Sequence, residues 1–328
     1  MPRRWKALLC GYYGMGNAGD EFLASASIAL LERCGLERGQ IAMLSGNAAE
    51  SKRLHGVRAF DRWNFREIVA AAKNSETLLL GGGGIFQDSS GLLSPWYYWG
   101  VMKIASLFGC RLWAAGQSIG PLRSPVSRFL ARNAFSACSA VTVRDEHSYE
   151  FLKRHCLLAD DLVLTLPDGG NERQAGGGVL VNLRPCGGLE RQAALDFAAL
   201  EWTRGRKLIG VAMSGEDARL MEELRREGVL RLDELRLCTA ENWRDAFAGA
   251  EYAWGMRLHF GVFCLKCGIP CTLVPYDPKV SDFASRWGAN VWPNRNCPEK
   301  WRGAAALDSA VRETAEAFAE CFRRCVSA

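Results

Sequence analysis

The stretch Trp254-Gly-Met-Arg-Leu-His-Phe-Gly261 sets an arginine and a histidine two residues apart, where one short apolar run hands over to another. Residues 250–254 have the length and apolarity of a buried strand, and 260–267 read as an apolar helix stopped by Gly268, with Pro270 just beyond. Arg257 and His259 therefore fall near the start of a helix, where unpaired backbone N–H groups and the helix dipole favour a phosphate or carboxylate. Arg257 can clamp such an anion with two parallel hydrogen bonds, and a histidine is the side-chain type suited to proton transfer near neutral pH. The pair suits acid/base chemistry on an anionic substrate; a structural histidine beside a surface arginine is the alternative that the same spacing allows.

A chain of 328 residues exceeds the size at which one core usually stops growing, so two domains of roughly 150–170 residues are expected. With 48% hydrophobic and 23% charged residues it is an ordinary globular protein. The net charge of +5, from 41 basic and 36 acidic residues, suits an anionic substrate or an anionic membrane surface. No lysine-rich block argues for nucleic acid. The apolar run after the basic Met1–Lys6 breaks at Gly11, too short for a signal-peptide core, and no stretch of 18 apolar residues exists, so a cytoplasmic protein is expected. The thirteen cysteines then read as reduced core residues. Cys264 and Cys267 are spaced Cys-x-x-Cys with Cys271 nearby, but Cys297 or the Cys321 and Cys325 pair could complete a zinc site only from far along the chain. No metal and no cofactor are expected.

The elements that must position Arg257 and His259 follow an α/β rhythm. A strand at 6–13 runs into the glycine-rich turn Gly14-Met-Gly-Asn-Ala-Gly-Asp-Glu21 and a helix to about residue 34. The turn resembles a dinucleotide fingerprint only loosely, since no acidic residue after a second strand completes it. Gly14, Gly16, Asn17 and Asp20 are assigned to the wall of a ligand cleft, with ordinary tight-turn chemistry as the alternative. Further strands are read at 40–45 and 76–80. Four glycines follow the second of these, with Gly83, Gln87 and Asp88 facing a ligand or a neighbouring loop. A helix at 95–108 precedes a strand at 110–116 that leads to Gln117, and after a helix at 126–137 the strand 140–143 ends at Arg144. Arg144 stands where open α/β sheets bind ligands, or else pairs with Asp145 or Glu146. His147 and His155 read as surface helix residues and His55 as a loop residue. The polar, glycine-rich 168–178 is a linker, after which strands and helices alternate again and a long amphipathic helix spans about 307–325. The fold expected is α/β, two doubly wound Rossmann-like domains, 1–167 and 179–328, facing each other across a cleft, with Arg184 at the end of the second domain's first strand turned toward it.

Six motifs taken together resemble the polysaccharide pyruvyltransferase family, especially its CsaB-type bacterial branch: GYYGMGNAGDE at 11–21, LLLGGGGIFQD at 78–88, AAGQSIGP at 114–121, VTVRDEHSYEFL at 141–152, GMRLHF at 255–260 and YDPKVSDF at 276–283. The resemblance implies a fold like the two-domain GT-B glycosyltransferases, with the acceptor on the N-terminal side and the donor on the C-terminal side. It implies transfer of the enolpyruvyl moiety of phosphoenolpyruvate to a sugar of a cell-wall or capsular glycan, giving a cyclic pyruvate ketal. By the same resemblance His259 is catalytic, and Arg144, Arg257, Leu258 and Lys279 bind phosphoenolpyruvate, whose compact negative charge suits such a set. Gly14, Gly16, Asn17, Asp20, Gly83, Gln87, Asp88, Gln117 and Arg184 are left for the acceptor or the cleft. A lipid-linked acceptor would bring the protein to the inner face of the membrane. The other readings are a GT-B glycosyltransferase using a nucleotide sugar, and a non-catalytic glycan-binding protein, for which a titrating histidine has no evident use.

Overall fold

The computed structural model describes residues 3–89, 91–153, 155–167 and 174–327, and the chain divides into two compact units. The first comprises Met1–Met15, Asp20–Leu166 and Ser309–Ala328. Its strands are β1 (Trp5–Cys10), β2 (Ile41–Ser45), β3 (Arg58–Asp61), β4 (Ser75–Leu80), β5 (Gly83–Phe86), β6 (Arg111–Ile119), β7 (Ala140–Val143) and β8 (Leu157–Leu158). They pair in parallel in the order β3-β2-β1-β4-β6-β7-β8, with β5 joined to β6. Runs such as Ala-Leu-Leu-Cys and Thr-Leu-Leu-Leu carry apolar residues on successive positions because both faces of the sheet are covered by helices. Those helices start where the sequence caps them. The Asn64 side chain accepts from the Arg66 and Glu67 N–H groups ahead of Phe65–Lys73, and Ser124 caps Pro125–Ser136, whose proline gives up no hydrogen bond in the first turn.

The second unit comprises Gly16–Gly19 and Pro167–Asp308. Its strands, β9 (Gly178–Asn182), β10 (Leu208–Ala212), β11 (Glu234–Leu237), β12 (Ala250–Gly255), β13 (Cys271–Leu273) and β14 (Asn290–Val291), form a parallel sheet in the order β11-β10-β9-β12-β13-β14. In each sheet the chain builds outward from its first strand on one side and then returns to the other. This puts a topological switch point at the carboxyl ends of β1 and β4 in one unit and of β9 and β12 in the other.

Several expectations are adjusted. Of the linker read at 168–178, residues 168–173 lie outside the described residues, and Gln174 already bonds to Ala250 O at 2.8 Å beside the second sheet. The long last helix is Leu307–Ser327, but from Ser309 onward it belongs to the first unit rather than to the second half of the chain. Its Phe318 and Phe322 pack on Trp113 of β6 with ring centroids 5.2 and 5.9 Å apart, and Thr314 Oγ1 accepts from the Asp160 N–H. His55 is not in a loop: it sits buried in the helix Ala48–His55, with Nε2 3.0 Å from Glu21. His155 is exposed but outside a helix. All thirteen cysteines are free thiols; Cys264, Cys267 and Cys271 are buried, and burial pushes the Cys264 thiol well above its ordinary value. Among the described residues no cluster of three or more His, Cys, Asp or Glu is arranged to hold a metal ion, and no helix is long and apolar enough to cross a membrane.

Candidate active site

The junction between β12 and the helix Leu258–Lys266 hangs on one buried asparagine. Asn182, the last residue of β9, accepts from the Arg257 N–H through its side chain at 2.9 Å and from the Met256 N–H through its backbone at 3.0 Å. Its Nδ2 donates to Val211 O on β10 at 2.8 Å, so this one residue joins three strand ends at the switch point. The Arg257 guanidinium does not present an open fork. Its Nε donates to Asp217 Oδ2 at 2.9 Å, and its Nη2 donates to Asp217 Oδ1 at 2.6 Å and to Ser214 Oγ at 3.0 Å. Asp217 is fully enclosed and also accepts from the Met213 N–H. The bidentate clamp expected for a substrate anion is thus engaged with a carboxylate of the protein itself. Leu258 has a buried side chain, so what it offers a ligand is the backbone of the helix's first turn.

His259, half-buried in that first turn, rests against Gly19. A methyl group on Gly19 would lie 2.9 Å from the imidazole Cγ and closer still to Nδ1, a separation that atoms do not tolerate, so the ring's seat requires glycine. Gly19 is itself fixed within the second unit: Ala18 N–H donates to Met213 O at 2.9 Å and Asn17 bridges Ser214. Gly16 and Asn17 therefore belong to the same unit as His259, while Gly14 and Asp20 belong to the first.

The loops after β9 and β13, the two neighbours of β12, carry a second group of cations. Arg184 donates from Nη1 to the Tyr276 hydroxyl at 3.0 Å, with its guanidinium 4.6 Å from that ring's centroid. Lys279 Nζ lies 5.9 Å from the same centroid and 3.3 Å from Asp277 Oδ2. Asp277 caps the helix Pro278–Trp287, which holds Lys279 in its first turn. Arg184 has no carboxylate partner among the described residues, so of the cations read from the sequence it is the most available to an external anion.

In the first unit the residues assigned to a ligand are largely committed to the fold. Arg144 is buried and ion-paired with Asp161, not with Asp145 or Glu146; Asp145 instead caps the next helix and accepts from Ser118. Gln117 is fully enclosed within β6, with its amide donating to Leu80 O at 3.1 Å and to Gly81 O. Asp88 accepts from the Arg123 and Ser124 N–H groups, both at 2.8 Å; these bonds outweigh its desolvation and lower its pKa, and they anchor the loop after β6. Gln87 accepts from Ser89 in a local turn. Gly14, at φ 69°, packs on Ser45 and Asn47 and donates to Glu21 at 2.7 Å. Gly83, at φ 117°, starts β5 close to Asp20. The crevice between β1 and β4 is filled by the wholly buried Tyr13, against which Gly11 and Gly81 pack. These six assignments came from position at strand ends. Asn182, Asp217, Asp161, Tyr276 and Gly19 were not singled out, although a polar residue closing the apolar run of β9 was a legible signal for Asn182.

Residues 17–278 match the sequence model of a family described as polysaccharide pyruvyl transferase. No curated protein matches the sequence. Among solved structures the chain is similar to Anabaena HepE in complex with UDP-glucose, at 12% identity and TM-score 0.57, over 98% of this chain and 94% of that one. It is similar also to a putative UDP-N-acetylglucosamine 2-epimerase from Listeria monocytogenes, at 9% identity and TM-score 0.58, over 96% and 91%. The UDP-GlcNAc 2-epimerase of Methanocaldococcus jannaschii is 10% identical with TM-score 0.56, over 93% and 91%. At such identities the likeness concerns the fold alone: α/β, of GT-B type, with two Rossmann-like parallel sheets.

Proposed function

This chain belongs to the polysaccharide pyruvyl transferase family, and from that premise we propose that it transfers the enolpyruvyl group of phosphoenolpyruvate to a sugar of a cell-wall or capsular glycan, leaving a cyclic pyruvate ketal and releasing phosphate. The observation that carries the reading is His259, a half-buried imidazole seated on glycine backbone at the carboxyl edge of the second sheet, in the first turn of a helix. Ketal formation needs a proton on the methylene carbon, a bond from a sugar hydroxyl oxygen to the central carbon, departure of phosphate with the electrons of the C–O bond, and closure by a second hydroxyl. Of the two hydroxyl protons, one balances that delivered to carbon and the other leaves with phosphate. His259 moves a proton in this sequence.

Arg184 and Lys279 hold the donor's carboxylate and phosphate, assisted by the backbone donors of the helix that Leu258 opens. Arg257 contributes by holding that turn, and Arg144 by holding the end of β7 through Asp161. The first unit supplies the acceptor side. The six motifs favour the CsaB-type branch. A net charge of +5 favours work at an anionic inner membrane face on a lipid-linked acceptor.

Incubating the purified protein with phosphoenolpyruvate and a panel of free and lipid-linked glycans, while following phosphate release and product mass, tests the reading. Absence of phosphate release with every acceptor, together with tight binding of a UDP-sugar, would replace it with a glycosyltransferase. A narrower expectation concerns the donor. Arg184→Ala and Lys279→Ala should each weaken phosphoenolpyruvate binding by roughly tenfold or more, and wild-type affinity should fall as salt is raised. Calorimetry on each variant decides it: unchanged affinity in both removes the pair from the donor site.

A further inference from the structure

Two neighbouring helices of the first unit present large apolar side chains to solvent. On Leu93–Leu107 the outward stripe includes Leu93, 84% exposed, and Trp96, 48% exposed; on Pro125–Ser136 it includes Phe129, 65% exposed, and Val126, 49% exposed. Trp99 Nε1 donates to Asn133 Oδ1 at 2.8 Å, which sets the register of the two helices. Trp96 stands one turn before Trp99, with its ring 5.7 Å away, and Phe129 one turn before Asn133, so the apolar tips lie side by side near the helix starts. Both helices follow strands of one parallel sheet, so these starts share its carboxyl edge.

The charge around them is mostly basic: Asp88, which accepts from the Arg123 and Ser124 N–H groups, is an acidic side chain at the start of the second helix, and the segment that follows it carries only cations. Residues 89–143 contain Lys103, Arg111, Arg123, Arg128 and Arg132 and no aspartate or glutamate, in a chain that carries 36 acidic residues. Arg128 donates to Leu122 O at 2.9 Å and to Arg123 O at 3.2 Å, which keeps its guanidinium beside the exposed start of its helix.

We propose that this face docks the protein on an anionic lipid bilayer, with Leu93, Trp96 and Phe129 entering the headgroup–acyl boundary and Arg123, Arg128 and Arg132 meeting headgroup phosphates. A second copy is a poor occupant, because a two-fold contact would set this predominantly basic face against itself. The proposal does not depend on the reaction assigned above.

The test is sedimentation of the full chain with vesicles of phosphatidylcholine alone and of an equal mixture with phosphatidylglycerol. Binding to the mixed vesicles is expected, weakened by salt and at least about tenfold stronger than to phosphatidylcholine alone. Arg123→Gln and Arg128→Gln should each weaken it roughly fivefold. The Leu93→Glu, Phe129→Glu double variant should weaken it at least about tenfold with unchanged hydrogen-exchange protection of the two helices, since both side chains are exposed. No binding of the wild type to the mixed vesicles, or equal binding by the double variant, overturns the proposal. So does a concentration-dependent dimer that the same substitutions abolish, which would give the face to a second copy.

Discussion

His259→Ala is expected to lower turnover about 10²- to 10⁴-fold while leaving phosphoenolpyruvate affinity nearly unchanged, the signature of a lost proton-transfer group. Gly19 sharpens the test. Because a Cβ there would lie 2.9 Å from the imidazole Cγ, Gly19→Ala must displace the ring. A misplacement on the order of 1 Å can itself cost about 10²-fold in rate. If Gly19 acts solely by seating the imidazole, the Gly19→Ala, His259→Ala double variant should be no slower than His259→Ala alone. The measurement is single-turnover phosphate release at saturating donor, after each variant is shown to be folded. Wild-type turnover in His259→Ala returns the histidine to a structural role. A further loss in the double variant means that Gly19 does something besides hold it.

Fold and site were legible to different depths, for physical reasons. The central strands were read well because their residues are buried on both faces: 40–45 became Ile41–Ser45 and 76–80 became Ser75–Leu80. Chain order alone could not assign the last helix, since an amphipathic stripe says that an apolar face is needed without saying which sheet supplies it. At the site, the turn from β12 into its helix and the glycine loop before Ala18–Arg33 were visible as motifs. What was not visible was how the cations are used. Arg257 and Arg144 read as open guanidinium groups because their partners, Asp217 and Asp161, lie 40 and 17 positions away in sequence. A charge near a strand's carboxyl end signals a ligand only when nothing in the fold already holds it.

The pair just named carries the second large effect. Arg257→Ala should destabilise the second unit by about 3–5 kcal/mol, because it strips the fully enclosed Asp217 carboxyl of its guanidinium partner and leaves the Met213 N–H as a remaining donor. The Arg257 side chain is 14% exposed, so Asp217→Asn leaves a guanidinium that water can partly reach and should cost less. Replacing both, Arg257→Met with Asp217→Leu, removes the buried charges together and should recover most of the stability. With two compact units in the chain, a single unfolding midpoint is ambiguous, so the readout is hydrogen exchange of the helix Leu258–Lys266. The double variant also separates two roles. If Arg257 serves by holding the turn, a double variant with normal exchange protection should still bind phosphoenolpyruvate. One that is stable yet has lost the donor would make Arg257 the anion contact that its place in Arg-Leu-His first suggested, reached by a guanidinium that exchanges Asp217 for substrate.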